Sequence, residues 1–198
     1  KIVSDSTIRP RGWEVVTAIL KGHEGREQIK AVCKALNDLD CETNTTVGMH
    51  VHHDARGLTA KQIGGVFGTY SAFQTLLNYG VSRSRRGIQW GGYNSIADWS
   101  RVTRDNDNYN TIGDGINADT EFTGPRGMNM QNFITAIYRK VGMNRACSVS
   151  IGSSLSRHGT IEFRQHQGTI NATKIWAWLL ITQSIVERQT QNRVSFPK

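Results

Sequence analysis

Cysteine is scarce in this chain: Cys33, Cys41 and Cys147 are the only three among 198 residues. An odd count, without the paired spacing of a zinc knuckle or a redox couple, excludes a disulfide framework. It predicts reduced thiols and with them a cytoplasmic setting. Proline is as rare, three in all, and no proline-rich linker, internal repeat or heptad array divides the sequence. One domain over residues 1–198 is therefore expected, long enough to bury a substantial core. No apolar run approaches membrane-spanning length, and no signal peptide is expected before the first element. Acidic residues are in deficit, 16 against 24 lysines and arginines, which gives a formal net charge of +8 and a pI near 9.7. That surplus favours anionic partners: nucleotide phosphates, nucleic acid or a polyanionic surface. The basic residues are scattered and lack a reading helix or an aromatic platform, which counts against nucleic acid.

What is present is a regular succession of short strands and amphipathic helices. Residues 1–3 read as the end of an element whose start lies upstream. The β-branched content of residues 13–19 predicts a strand, with Glu14 its only charge. Residues 24–39 carry Ile29, Val32, Cys33, Leu36 and Leu39 at helical spacing. Thr59 caps a longer helix with Ile63, Val66, Phe67, Tyr70, Phe73, Leu76 and Leu77 as its buried stripe, ended by Gly80. Residues 103–123, rich in Asn, Asp and Gly, predict a long loop or lid, and residues 129–141 a further helix. A short strand over 147–151 leads into a strand over 159–169. Asn171 then caps a helix to about residue 189 with Ile175, Trp178, Leu179, Thr182, Ile185 and Val186 inward. The order predicts an α+β fold, a mainly antiparallel sheet with helices packed on one face.

The chemistry concentrates on two of these strands. In Gly159-Thr160-Ile161-Glu162-Phe163-Arg164-Gln165-His166-Gln167-Gly168-Thr169, the apolar Ile161 and Phe163 alternate with Glu162, Arg164 and His166. One face is oily and the other carries a carboxylate, a guanidinium and an imidazole. In Val47-Gly48-Met49-His50-Val51-His52-His53-Asp54, His50 and His52 share a face opposite Val47, Met49 and Val51. Side by side, the two strands make a metal site. The His50-x-His52 pair suits two imidazoles on one ion, or one ligand and one substrate contact. A cupin needs a glutamate where Arg56 and Gly57 stand, which disfavours an oxygenase. A zinc hydrolase could take His166 as its third ligand. Glu14, Glu162 and His50 together suit a harder cation, Mg²⁺ or Mn²⁺ bridging phosphate oxygens, with Arg164 neutralising a transferring phosphoryl group. The loop Ser82-Arg83-Ser84-Arg85-Arg86-Gly87 reads equally as a phosphate clamp and as a solvated basic turn.

Three stretches together, Trp13-Glu14-Val15-Val16-Thr17, Gly48-Met49-His50-Val51-His52 and the Gly159 to Thr169 motif followed by a tryptophan-bearing helix, resemble the amidoligase family. That family shares the carboxylate-amine ligase fold of glutamine synthetase and glutamate-cysteine ligase. Ser4-Asp5-Ser6 resembles its aspartate-serine turn, and the arginine loop its basic segment after the second helix.

The resemblance implies a glutamine-synthetase-like core and an enzyme that phosphorylates a carboxylate with ATP, then lets an amine attack the acyl phosphate to form an amide. It implies Glu14, His50 and Glu162 as metal ligands for Mg²⁺ or Mn²⁺, and His52 and Arg164 as catalytic groups. It further implies Arg83, Arg85, Arg86 and Arg164 as contacts to ATP, and a carboxylate and an amine, peptide or protein included, as substrates. Relatives carry a Glu-x-Glu pair in a first strand, and nothing before Glu14 supplies one, so that strand is expected to be missing. The strand before the central motif reads Arg145-Ala146-Cys147-Ser148-Val149-Ser150, where relatives often have an aromatic residue followed by asparagine. A non-catalytic descendant of the fold, serving as an interaction module, is the alternative, and a nucleic-acid-binding protein the second.

Overall fold

A computed structural model describes residues 1–86 and 147–191 of the chain. The loop expected over 103–123 and the helix expected over 129–141 lie outside the described residues. The described elements are β1 (Ile2–Asp5), β2 (Gly12–Val15), α1 (Gly22–Asp38), β3 (Val51–Asp54), α2 (Ala60–Gly80), a 3₁₀ turn (Arg83–Arg85), β4 (Val149–Ser150), α3 (Gly152–His158), β5 (Thr160–Phe163) and α4 (Ala172–Thr190). This is an α+β arrangement with small antiparallel sheets and three long helices. None of the described helices is long and apolar enough to cross a membrane.

The strands divide into two sheets where one was expected. β1 and β2 form a hairpin of their own, and β5 lies between β3 and β4 in a three-stranded antiparallel sheet. β2 ends at Val15 instead of continuing to residue 19: Ile2 faces Val15, and Val16 N–H donates to Lys1 O at 2.8 Å. Residues 1–3, expected as the end of an element, fall at the start of β1, which runs on to Asp5.

Helix starts follow local chemistry. The Thr59 hydroxyl accepts from Gln62 N–H while the Gln62 side chain accepts from Thr59 N–H, a capping box that opens α2. The Asn171 side chain accepts from Lys174 N–H and opens α4. Helices α2 and α4 pack on each other, and α4 also on α1 and β3. Ile63, Val66, Phe67 and Tyr70 of α2 and Trp178, Ile185 and Val186 of α4 are buried with Val51, Ile161 and Phe163 of the sheet. Phe73 and Leu76, expected in the α2 stripe, are exposed.

Two features re-aim side chains toward the site. The first is α3, a helix between β4 and β5 where an unbroken passage was expected. It closes at Gly159, whose φ of 68° lies in the left-handed region that glycine enters without a Cβ clash, and whose N–H bonds Leu155 O at 3.0 Å. The second is a bulge in β5. Val51 faces Phe163, yet Gly48 bridges Gln167, so between these pairs two residues, Met49 and His50, oppose three, Arg164, Gln165 and His166. The extra residue reverses the alternation beyond Arg164.

Candidate active site

Strand alternation determines which groups reach the site. Buried Ile161 and Phe163 face the helices, where Phe163 meets Tyr70 and His53 with ring centres 5.7 and 5.6 Å apart. Glu162 faces the other way, directly across from His52. Four groups converge on its carboxylate. Arg164 Nη1 donates to Oε1 at 2.6 Å and the Ser154 hydroxyl to Oε2 at 2.7 Å. His50 Nδ1 lies 3.2 Å and His52 Nε2 3.7 Å from Oε1. Burial alone pushes the Glu162 carboxyl up. The hydrogen bonds from His50 and Ser154 and the charge of Arg164 outweigh it and hold the group down to about 2. Glu162 is therefore ionised at any physiological pH, with 7% of its side chain exposed.

The two imidazoles are more open than the carboxylate they flank, with 30% of the His50 side chain and 41% of the His52 side chain exposed. Partial burial, with the charges of His50, His158 and Arg164, keeps His52 below its ordinary value against the pull of Glu162. His52 Nδ1 lies 2.9 Å from the Thr160 hydroxyl, which donates to Ser154 O at 3.4 Å. His50 extends toward Arg85 at its other end: a Cβ on Gly48 would stand 3.2 Å from Arg85 Nη2 and 3.5 Å from His50 Nε2. Glycine at 48 thus leaves room for a guanidinium beside an imidazole.

The three arginines of the basic loop do different things. Arg85 is buried, with Nη2 donating to Val47 O at 2.6 Å, so it clamps the histidine strand from below. Arg86 is exposed, its Nε donating to Val81 O at 2.9 Å, and Arg83 is exposed in the 3₁₀ turn. Gln165, at the bulge, accepts from the Tyr70 hydroxyl and donates to Asn78 Oδ1 at 2.6 Å. That network ties the bulge, and Arg164 next to it, to α2.

His166 does not join His50 and His52. The reversed alternation turns it toward α4, where its ring lies 5.2 Å from that of Trp178 and Nδ1 donates to Gln167 O at 2.7 Å. The third histidine of a zinc hydrolase is thus directed elsewhere. Glu14 is exposed on β2 opposite Val3. Among the described residues, no ion pair or hydrogen bond joins it to Glu162 or His50. Its hairpin does come near, because Asp5 on the paired strand feels His50. Hydrogen bonds from the Thr7 side chain and backbone hold Asp5 low, and the charge of His50 adds to them.

A divalent ion would meet a carboxylate oxygen, the donor type that Mg²⁺ and Mn²⁺ favour, and 3.2 Å from it an imidazole nitrogen, a donor typical of Zn²⁺ and other transition metals. Among the described residues, no group of three or more His, Cys, Asp and Glu side chains is set to hold a metal ion by itself. A donor pair fits the habit of Mg²⁺, which is usually held by one or two carboxylates and completed by substrate phosphates and water. Ser154, Thr160 and Gln165 were not singled out from the sequence. Thr160 was legible, because it precedes Glu162 by two and shares its face. Ser154 was not, because it reaches the site only through α3.

Fold and site together define an α+β protein that presents a carboxylate, two imidazoles and a guanidinium from one sheet face. The chain belongs to the family described as "putative amidoligase enzyme", which it matches over residues 4–186. No curated protein and no solved structure matches it.

Proposed function

We propose that this chain is an ATP-dependent carboxylate-amine ligase with a glutamine-synthetase-like core, forming an amide through an acyl-phosphate intermediate. The observation that carries this reading is the convergence of Arg164, His50 and His52 on one buried carboxylate, Glu162. Simple hydrolysis by a metal-bound water needs no guanidinium. Phosphoryl transfer does, because charge spreads over the transferring oxygens and a fixed donor fork stabilises it.

In this reading Glu162 and His50 hold Mg²⁺ or Mn²⁺, and Glu14, on the hairpin whose Asp5 senses His50, is the candidate for a further ligand. The ion, when bound, neutralises phosphate charge. Arg164, held on Glu162 through Nη1, is the guanidinium that stabilises the transferring phosphoryl group. Arg85, fixed beside His50, adds positive charge, with Arg83 and Arg86 as exposed candidates for contacts to ATP. The carboxylate oxygen attacks the γ-phosphorus and ADP leaves. An amine nitrogen then attacks the acyl carbon, the C–N bond forms, the C–O bond to phosphate breaks, and phosphate leaves with the electron pair.

Hydroxylamine tests the reaction without knowledge of the natural amine. Incubated with Mg²⁺-ATP and a pool of amino acids, peptides and small carboxylic acids, the protein is expected to yield hydroxamate, with ADP formed only when carboxylate and hydroxylamine are both present. Glu162→Gln is expected to remove Mg²⁺-dependent ATP binding, measured by calorimetry, at least tenfold while far-UV circular dichroism is retained. Unchanged binding in that variant counts against the metal role.

A further inference from the structure

We infer that Gln165 and Gln167 are positioning residues: their side-chain amides hold the two ends of the arginine turn against β5, so that the turn meets a polyphosphate as a preformed basic clamp. The turn has little hold of its own. Arg85 N–H bonds Ser82 O at 2.8 Å and Arg86 N–H bonds Arg83 O at 3.2 Å, and 3₁₀ bonds of this kind are poorly aligned and sustain only short runs. Two glutamines supply what is lacking. At the start of the turn Ser82 N–H donates to Gln167 Oε1 at 2.9 Å, and at its end Gln165 Nε2 donates to Arg85 O at 3.4 Å. Gln165 is itself fixed, because this buried amide also accepts from the Tyr70 hydroxyl and donates to Asn78 Oδ1 at 2.6 Å. Gln167 lies opposite Gly48 at the entry to the histidine strand, and Arg85 reaches the same place, with Nη2 on Val47 O at 2.6 Å.

The turn is thus anchored at three points, on the two stretches of chain that carry Glu162 and His50. Neutral amides add no charge, so what they determine is where the cations stand. Arg85 is buried beside His50, and Arg83 and Arg86 are exposed next to it. Among the described residues no carboxylate pairs with Arg83 or Arg86, so their charge is left for an anion. Guanidinium forks suit phosphate oxygens, and a turn ordered beforehand loses less freedom when it binds. That the polyphosphate is the triphosphate of ATP rests on the ligase reading. The clamp itself does not.

The probe is inorganic tripolyphosphate, titrated into the whole protein by calorimetry without divalent ions. The wild type is expected to bind one per chain, and Arg83→Gln to weaken binding about tenfold, which locates the ligand on the turn. Gln167→Met keeps every charge and nearly the same shape, and removes only the acceptor for Ser82 N–H. It is expected to weaken binding about fivefold and to speed hydrogen exchange at the Ser82 amide. Gln165→Met is expected to act likewise from the other end of the turn; should that deeply buried change prevent folding, the half-buried Gln167 carries the test. Partial unfolding lowers the stoichiometry and leaves the Kd of the folded remainder as it was, so a merely structural role predicts an unchanged Kd. An unchanged Kd in Gln167→Met overturns the inference, as does a wild type that binds no tripolyphosphate or one whose binding Arg83→Gln does not alter. Hydroxamate formation separates the two claims. A raised KM for ATP in Gln167→Met, with kcat retained, joins the clamp to the reaction, whereas a wild type that forms no hydroxamate but binds tripolyphosphate as expected removes the ligase reading and leaves the clamp standing.

Discussion

His52 and His53 are neighbours in sequence and are placed in opposite surroundings by the pleat of one strand. His53 points to the helices, with Nε2 2.8 Å from the Thr182 hydroxyl and its ring edge-on to Phe163. The Thr182 hydroxyl is bonded to the carbonyls of Trp178 and Leu179, so it accepts from His53, which is then a neutral donor tying β3 to α4. His52 points to the opposite face, toward Glu162 and solvent. One imidazole holds the fold together and the other is available for chemistry. Residue type does not distinguish them, and the parity of a four-residue strand does.

The comparison makes the helix-facing side the structural one, and its failure should be the costliest. Phe163 is fully buried between Tyr70 and His53. Phe163→Ala is expected to lower unfolding free energy by about 3–5 kcal/mol, read from urea titration, because the packed surroundings collapse only partly into the space left behind. A loss below about 1 kcal/mol would mean that the two faces are not energetically distinct.

Acidification probes the same contrast at a smaller scale. Burial lowers His53 from 6.5 to about 4, against a weak opposing pull from Glu187. Between those values the unfolded chain binds the proton and the folded one does not, so stability rises with pH across that window and is lost as pH falls from 6.5 toward 4. The full shift corresponds to a loss of about 3 kcal/mol at 1.36 kcal/mol per unit. Glu162 acts lower down. Its folded value of about 2 lies beneath the 4.5 of the free side chain, so its contribution is present above 4.5 and disappears as pH falls through 4.5 toward 2. Stability measured against pH is expected to fall in two steps, and His53→Gln is expected to remove only the upper one.

Much of this was legible locally. Thr59 and Asn171 announce their helices because a cap is a contract between residues three apart, and Ile161 and Phe163 announce the oily face because alternation needs no partner. The site was legible as far as that alternation ran. It failed at His166, since the bulge that reverses parity between Arg164 and Gln167 is set by how β5 meets the chain at Gly48 and by the anchoring of Gln165 to Tyr70 and Asn78. No local pattern records that pairing. Ser154 was hidden for a related reason, because α3 is a single short helix whose only plain signal is Gly159 at its end. Glu14 shows the converse: it lies on a strand as expected, though one that ends at Val15, but which groups that strand faces depends on how the hairpin meets the central sheet.

The smallest expected effect on stability comes from the imidazole facing solvent. His52 contributes one hydrogen bond, to Thr160, from a side chain that is 41% exposed, and its aromatic neighbour His158 lies edge-on with ring centres 6.1 Å apart. Water replaces such a bond at little cost, so His52→Gln is expected to change unfolding free energy by no more than about 0.5 kcal/mol. His53→Gln, by contrast, disturbs a buried bond between β3 and α4 and is expected to cost more than His52→Gln at neutral pH. If the order is reversed, with His52→Gln the more destabilising, then His52 is a structural residue and its face of β3 is part of the scaffold. If the order holds and His52→Gln also loses hydroxamate formation, the assignment of chemistry to one face and cohesion to the other is secured by two variants one residue apart.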